Sequence, residues 1–262
     1  MKNEDCVELR KDCVILCNSV LCNIPNIRTH MKKDNKLHEV NSDIDSFIQI
    51  IEDEMGDYRE FLNLISQNID KKRAIENERM DKFYMKRPSM LSMKAESRFV
   101  NRFNKNFILF SYNQQLVLLQ SYIEARLMNM LGLVNRHMKH LCNIGKLMGS
   151  PLKVIKDLLK KELKFNIASD TKVWQEINVN QSIRNWIVHH YSYVPREKEN
   201  ESMSKSENIA FKTITNSKHF ELKYRGFYLK DSEYLVVYSK RVEIYLISIL
   251  KKIETALYEL SE

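Results

Sequence analysis

"FILFSYNQQLVLLQSYIEARLMNM", residues 107–130, is the stretch on which the predicted fold depends. Read as a helix, it is apolar over much of its circumference, so we expect it to lie at the centre of the protein. Glycine and proline number only 5 and 4 in the 262 residues. All-β folds need frequent turns, and this scarcity therefore favours long helices. The sequence predicts an all-α bundle built around residues 105–130.

A first helix is predicted at residues 4–23, where four of the five cysteines lie (Cys6, Cys13, Cys17 and Cys22). The cysteines lack CxxC spacing, and we interpret them as small core residues in a reducing compartment, with no metal site. Acidic residues precede the apolar stretch, which is unlike a signal peptide. No run approaches the roughly 20 apolar residues that a membrane span needs. We expect a cytoplasmic protein with no membrane contact and no cofactor.

A second, long helix is predicted to begin at a cap provided by Asn41 or Ser42. Its apolar residues from Ile44 to Ile65 recur at spacings of three and four, and a charged continuation runs to Lys86. The stretch "KRPSMLSMK", residues 86–94, is the best boundary in the chain. We therefore divide the chain into an N-terminal helical region, 1–98, and a helical bundle, 99–262.

Shorter elements are predicted after the central helix. Helices are expected at about 133–147, from Pro151 behind a Ser150 cap, and from a cap at residues 169–171 to Pro195. Residues 196–208 are charged and serine-rich and are expected to form a loop. Short β-like runs follow at Phe211–Ile214, Phe220–Tyr224 and Gly226–Leu229, which predicts a small hairpin before the last helix. Asp231 or Ser232 would cap that helix, whose apolar stripe is Leu235, Val236, Val242, Ile244, Ile247, Leu250, Ile253, Leu257 and Leu260.

The segment "QSIRNWIVHHYSYVP", residues 181–195, divides into two faces at about 100° per residue. One face carries Ile183, Trp186, Ile187 and Tyr191. The other carries Arg184, Asn185, His189 and Ser192 around Val188. His190 projects among the apolar residues and is expected to be a hydrogen-bonded core histidine. Val188 within the polar face suggests that a partner subunit covers it.

An Arg–Asn–His face is suited to phosphoryl transfer. Histidine titrates near neutral pH and can take a proton from a 2′-hydroxyl or give one to a leaving 5′-oxygen. Arginine offers a fork of donors to a pentacovalent phosphorane, and asparagine can orient the histidine. None of these steps requires a metal. A polar surface of chance composition is the alternative.

"IRNWIVHH", residues 183–190, resembles the R-x4–6-H signature of the HEPN superfamily, and "VWQEINVNQSIRN", residues 173–185, is similar to the approach to that motif. The resemblance spans residues 105–262. It implies an all-α homodimer whose facing motifs form a metal-independent endoribonuclease site, as in toxin–antitoxin and antiviral-defence systems, with an antitoxin or regulatory protein as a further partner. By the resemblance Arg184 and His189 are catalytic and Asn185 supports them.

"SYIEARL" is similar to a segment with an acidic residue in several members, which adds Glu124 as a candidate; its alternatives are a salt bridge or a solvated position.

A basic surface is predicted at "NRHMKH", residues 135–140, where Arg136, Lys139 and His140 are candidate RNA-binding residues. The net charge of +8 agrees with a polyanionic partner. Arg136 and His140 are one residue too close to match the HEPN spacing.

These observations favour an RNA-cleaving enzyme that needs no metal. Two other hypotheses stay open: a catalytically silent HEPN-like module that binds RNA or protein, and a structural bundle whose polar face makes a dimer contact. We expect RNA cleavage to leave a 2′,3′-cyclic phosphate and a 5′-hydroxyl.

Overall fold

A computed structural model describes residues 33–86, 109–138, 151–164, 166–169, 171–194, 203–223 and 226–260. Within these ranges lie six α-helices, a 3-10 turn at Ile167–Ser169 and one two-stranded sheet. The helices are α1 (Lys33–Met85), α2 (Leu109–His137), α3 (Pro151–Glu162), α4 (Thr171–His190), α5 (Lys205–Asn216) and α6 (Glu233–Glu259). The strands are β1 (Phe220–Lys223) and β2 (Gly226–Leu229). The all-α class with a small hairpin before the last helix is confirmed.

The central position of α2 is also confirmed. It contacts α1, α3, α4, α6 and β2. Its buried side chains point to several of these neighbours and include Tyr112, Leu116, Leu119, Ile123, Leu127, Met130 and Val134. Because Leu131, Leu133 and Val134 are buried too, the helix continues without a break to His137. The predicted start of a separate helix near residue 133 is therefore wrong, and residues 139–147 of that prediction lie outside the described part of the chain.

The helix α1 starts at Lys33, well before the predicted caps. The side-chain oxygen of Asn41 accepts a hydrogen bond from the Tyr258 hydroxyl of α6, so it serves a tertiary contact and not a helix end. Buried residues along α1 recur at spacings of four and seven: Val40, Ile44, Ile51, Met55, Leu62 and Ile69. Such a narrow stripe is what a long helix needs to pack along neighbouring helices.

Beyond Ile69 none of the side chains described in α1 is buried, which confirms the predicted charged continuation. The first predicted helix, at residues 4–23, lies outside the described residues. No helix in the described ranges is both long enough and apolar enough to span a membrane.

The long helix is held to the bundle by ion pairs as well as by apolar packing. Arg59 of α1 pairs with Glu243 of α6. Glu54 of α1 pairs with Arg126 of α2, whose guanidinium also lies 5.1 Å from the centre of the Tyr122 ring. These contacts place α1 along the side of α2 and α6.

The helix α5 replaces a predicted loop and a predicted strand. Residues 205–208 were expected in the loop and Phe211–Ile214 in a strand, and both predictions are wrong because Lys205–Asn216 is helical. Ser204 and Glu207 form a reciprocal capping box: Ser204 Oγ accepts from the Glu207 amide at 3.3 Å, and Glu207 Oε2 accepts from the Ser204 amide at 2.8 Å. Ala210 and Ile214, four residues apart, are buried on one face of the helix.

The hairpin strands match the second and third predicted β-like runs. β1 and β2 pair antiparallel, with Phe220 opposite Leu229 and Lys223 opposite Gly226. Phe227 and Leu229 are fully buried, and β2 packs on α2. The hairpin therefore joins the core next to the central helix.

The last helix, α6, begins where it was predicted to begin. Ser232 occupies the N-cap position without a side-chain cap bond, and Asp231 Oδ1 accepts a hydrogen bond from the Glu233 amide at 3.1 Å. The predicted stripe is correct at its buried members Leu235, Val242, Leu250, Ile253 and Leu257. It is wrong for Ile244 and Leu260, which are 70% and 56% exposed; Leu260 is the C-cap residue beyond the end of the helix.

Candidate functional site

The helix α4 has the apolar face that its sequence predicts. Ile183, Trp186 and Ile187 are buried, and the Trp186 ring meets the Phe227 ring edge-on with centroids 6.2 Å apart. On the opposite side Arg184 and Asn185 are half-buried, and Val188 and His189 are exposed. The polar residues thus lie at a border between core and surface.

The end of α4 differs from the prediction. The helix stops at His190, five residues before Pro195, because Tyr191 and Ser192 adopt left-handed backbone conformations with φ of 53° and 63°. This reversal exchanges the two side chains: Tyr191, predicted inward, is 77% exposed, and Ser192, predicted outward, is 3% exposed. A projection at 100° per residue holds only while the helix lasts.

The prediction of a core position for His190 is wrong. His190 is exposed, and the last buried residue of α4 is Ile187. The core ends a turn before the helix does, so the apolar neighbours expected from the projection do not enclose the imidazole. Both histidines of the segment are therefore accessible at the C-terminal end of α4.

A buried asparagine fixes the chain after α4. Asn113 of α2 donates through Nδ2 to Ser192 Oγ at 3.0 Å and to the Phe227 carbonyl at 3.3 Å, and its Oδ1 accepts from the Leu229 amide at 3.0 Å. The Ser192 amide donates to the Trp186 carbonyl at 3.0 Å, and the Ser192 carbonyl accepts from the Phe227 amide at 2.9 Å. One side chain thus ties the central helix, the end of α4 and the hairpin together. The sequence signal for it is a polar residue within a helix that is apolar over much of its circumference.

The tertiary structure brings Glu124 of α2 to the polar face of α4. Gln181 Nε2 donates to Glu124 Oε1 at 2.8 Å, and Arg184 Nη1 donates to Asn185 Oδ1 at 3.1 Å. Burial raises the pKa of Glu124, while the charge of Arg184 and the hydrogen bond from Gln181 act in the opposite direction. Three of the predicted residues, Glu124, Arg184 and Asn185, therefore form one cluster.

Gln181 is a member of this cluster that sequence reasoning missed. It lies one turn before Arg184 and Asn185, on the same side of α4, and its position three residues before Arg184 is the signal that could have found it. Its Oε1 atom is buried and makes no hydrogen bond among the described residues. The same is true of Arg184 Nε. The cluster thus has hydrogen-bonding capacity that the described part of the chain does not use.

His189 lies on the same side of α4 as Asn185, four residues further along. Residues at that spacing in a helix have Cβ atoms about 5–6 Å apart. His189 is exposed, whereas Arg184 and Asn185 are half-buried. The arrangement therefore offers an accessible proton-transfer group one turn from Asn185, which binds the half-buried Arg184 guanidinium.

The predicted basic surface is not part of this cluster. Arg136 Nη1 and His137 Nε2 both contact Asp43 Oδ2 of α1, at 2.8 and 3.1 Å. Arg136 is twelve residues from Glu124 along α2, about 18 Å at the helical rise. Lys139 and His140 lie outside the described residues. Arg136 is thus engaged at the contact between α1 and α2.

One group of side chains in the described ranges has the composition of a metal site. Ligand atoms of His219, Asp231 and Glu233 lie within 4.8 Å of one another. Lys218 Nζ lies 3.2 Å from Glu233 Oε2, and Asp231 is already bonded to the α6 backbone and to His219 Nδ1. These bonds explain the grouping of the three side chains without a metal ion: they stabilise the first turn of α6.

An apolar cleft of about 430 Å³ lies between α1 and α2. It is lined by Glu54, Met55, Asp57, Tyr58, Phe61, Leu118, Leu119 and Tyr122. It shares no residue with the α4 cluster.

No protein-family model, no curated protein and no solved structure matches this chain. The resemblance to the HEPN superfamily therefore rests on the motif of α4 and on its helical setting.

Proposed function

We propose that this chain is a metal-independent endoribonuclease of HEPN type, whose site is completed by a second copy of the chain. The observation that carries the proposal is the cluster on α4, in which Arg184 and Asn185 are hydrogen-bonded and Glu124 approaches from α2. Within the described part of the chain, Arg184 Nε is buried and makes no hydrogen bond. A cation held in a half-buried position with an unused donor suits a phosphate group.

His189 is the proton-transfer residue of the proposed reaction. It takes the proton of a 2′-hydroxyl, whose oxygen attacks the adjacent phosphorus. The bond to the 5′-oxygen breaks, and that oxygen receives a proton from the His189 of the second copy. The products are a 2′,3′-cyclic phosphate and a 5′-hydroxyl.

Arg184 stabilises the charge that develops on the phosphorane oxygens. Its partial burial strengthens this interaction because water screens it less. The hydrogen bond from Gln181 to Glu124 holds the face of α4 against the middle of α2, and Asn185 restrains the Arg184 guanidinium by accepting a hydrogen bond from it. The exposed Val188 lies between these residues and is available for contact with the second copy.

The proposal is tested with purified protein and mixed cellular RNA in the presence of EDTA. We expect fragments with cyclic phosphate and 5′-hydroxyl ends, the latter open to labelling by a polynucleotide kinase without prior dephosphorylation. His189→Ala should reduce the rate by about 10²–10⁴-fold, the usual contribution of a general acid or base. Arg184→Ala should reduce it comparably, since an electrostatic donor is lost.

His190→Ala is the matched control, because His190 is also exposed and is adjacent in sequence but projects from a different side of α4. It should retain the wild-type rate. Full cleavage by His189→Ala would contradict the proposal. RNA binding by the wild-type protein without cleavage would identify the silent binding module instead.

The toxin or defence role is a further part of the proposal and is tested in cells. Expression of the wild-type chain should arrest growth, and His189→Ala should relieve the arrest at equal protein level. Sedimentation equilibrium of the purified protein measures whether it is the expected dimer.

A further inference from the structure

Two tyrosines project into solvent directly after α4. Tyr191 is 77% exposed and Tyr193 is 53% exposed. Consecutive Cα atoms are about 3.8 Å apart, so the Tyr191 backbone lies within about 7.6 Å of that of His189. Large aromatic surfaces are thus presented beside the proton-transfer residue.

The backbone that presents them is strained and is held in place by buried bonds. Tyr191 and Ser192 are non-glycine residues in the left-handed region, a conformation that is unfavourable for them. Ser192 is held by Asn113, by the Trp186 carbonyl and by the Phe227 amide, and Tyr193 forms an antiparallel bridge with Gly226. The backbone that carries the two tyrosine rings is therefore fixed to the rest of the fold by hydrogen bonds.

The strain is not needed merely to end the helix. Glycine would adopt the same left-handed conformation at position 191 without strain and without exposing a ring. The retained strain gives no burial to Tyr191, since the side chain that the turn buries is Ser192. A rigid, exposed aromatic next to a candidate active site is better explained by contact with a ligand that has flat faces.

We propose that Tyr191 and Tyr193 form a stacking platform for unpaired bases of single-stranded RNA, next to the polar face of α4. The proposal rests on the proposed function and adds the substrate class. Every base has a π-face, so such a platform binds single strands with little sequence preference and rejects duplexes, whose bases are already stacked. The net charge of +8 and the presence of Arg184 on the polar face of α4 agree with the accompanying phosphates.

The test uses the full chain in a His189→Ala background, so that binding is measured without cleavage. Fluorescence anisotropy follows a short fluorescein-labelled RNA of mixed sequence, as a single strand and as a duplex, in EDTA. Tyr191→Ala should weaken single-strand binding by about five- to 150-fold, the range for loss of one stacking aromatic. Tyr191→Phe should bind like the parent because the ring is kept, and Tyr193→Ala should change binding in the same direction as Tyr191→Ala.

Phe61→Ala is the matched control, because Phe61 is an aromatic residue of similar exposure, 50%, on α1. It should not change binding. Circular dichroism and the melting temperature check that each variant folds. Equal single-strand affinity of Tyr191→Ala and the parent would overturn the platform, and so would an equal loss in Phe61→Ala. Dissociation of a dimer by Tyr191→Ala would show that the tyrosines contact protein, which also overturns it.

The two proposals fail in different ways. If the wild-type chain cleaves RNA and Tyr191→Ala leaves KM unchanged, the nuclease stands and the platform is wrong. If the wild-type chain does not cleave but binding depends on Tyr191, the platform stands and the chain is a silent RNA-binding module. If the parent binds no RNA, both proposals are overturned.

Discussion

Glu124 shows how packing changes the meaning of a residue. In the sequence it is one acidic position on an apolar helix, with a salt bridge or solvation as its alternatives. In the fold it accepts a hydrogen bond from Gln181 and interacts with Arg184, with a pKa that burial raises. It therefore belongs to the same cluster as the motif residues, and its charge is unfavourable to the folded state.

The first prediction concerns the pH dependence of stability at Glu124. The folded pKa of Glu124 is raised above 4.5, so the folded state binds its proton more tightly than the unfolded state. The stability contributed by the protonated form is complete below 4.5 and is lost as pH rises through the folded pKa. Glu124→Gln removes this loss. The free energy of unfolding of the variant minus that of the wild type should therefore increase with pH, measured by urea denaturation between pH 4 and 8.

Glu78→Gln is the control of opposite sign. Lys82 lowers the pKa of Glu78 by a hydrogen bond and by its charge, so this carboxylate favours folding above its ordinary pKa. For Glu78→Gln, the free energy of unfolding of the variant minus that of the wild type should fall slightly with rising pH. This dependence should vanish in high salt, because the Glu78–Lys82 pair is exposed. A flat profile for Glu124→Gln would contradict the first prediction.

Elements begin and end according to local chemistry where that chemistry is strong. The capping box of Ser204 and Glu207 starts α5 in a region whose composition indicates a loop. The aromatic and β-branched residues of Phe211–Ile214 indicate a strand. The segment is helical instead, because a helix buries Ala210 and Ile214 on one face. The end of α4 is instead set by distant residues, because Asn113 of α2 and the hairpin bind the residues that follow the helix.

The second prediction belongs to α5. Ser204→Ala removes the acceptor for the Glu207 amide and should lower the free energy of unfolding by about 1 kcal/mol. The measurement is urea denaturation followed by circular dichroism. Thr215→Ala on the exposed face of the same helix should change stability by less than about 0.5 kcal/mol. Equal effects of the two substitutions would show that the capping box does not stabilise α5.

For the whole molecule, the long helix α1 packs on α6 and α2. Its stripe of buried residues runs from Val40 to Ile69 and enters the same core as the bundle. Arg59 and Glu54 reinforce this contact through ion pairs with α6 and α2. We infer that α1 and the bundle unfold together.

The third prediction tests that inference with two leucines of α1. Leu62 is fully buried, and Leu62→Ala should lower the free energy of unfolding by about 2–5 kcal/mol. Leu64 is 49% exposed, and Leu64→Ala should change it by less than about 0.5 kcal/mol. The unfolding curve of the wild type, followed by circular dichroism and by tryptophan fluorescence from Trp174 and Trp186, should show a single transition. Two separate transitions would mean that α1 and the bundle are independent units.

Much of the fold could be predicted from the sequence because periodicity is a local property. The apolar circumference of α2, the inward face of Ile183, Trp186 and Ile187, and the paired runs of the hairpin each follow from residues close together in the chain. The grouping of Arg184 and Asn185 on one side of α4 follows from the same geometry. Their identification with RNA cleavage stays a prediction.

What the sequence alone determined is the helical class and the two faces of α4, since both depend on spacing within a segment. Only the tertiary structure decided where α4 ends, which of Tyr191 and Ser192 is exposed, that His190 lies outside the core, and that Glu124 and Gln181 join Arg184. Each of these depends on a contact between distant residues, such as Asn113 with Ser192 or Gln181 with Glu124. The hydrogen bonds of buried polar groups are satisfied across the whole fold, and no local pattern specifies their partners.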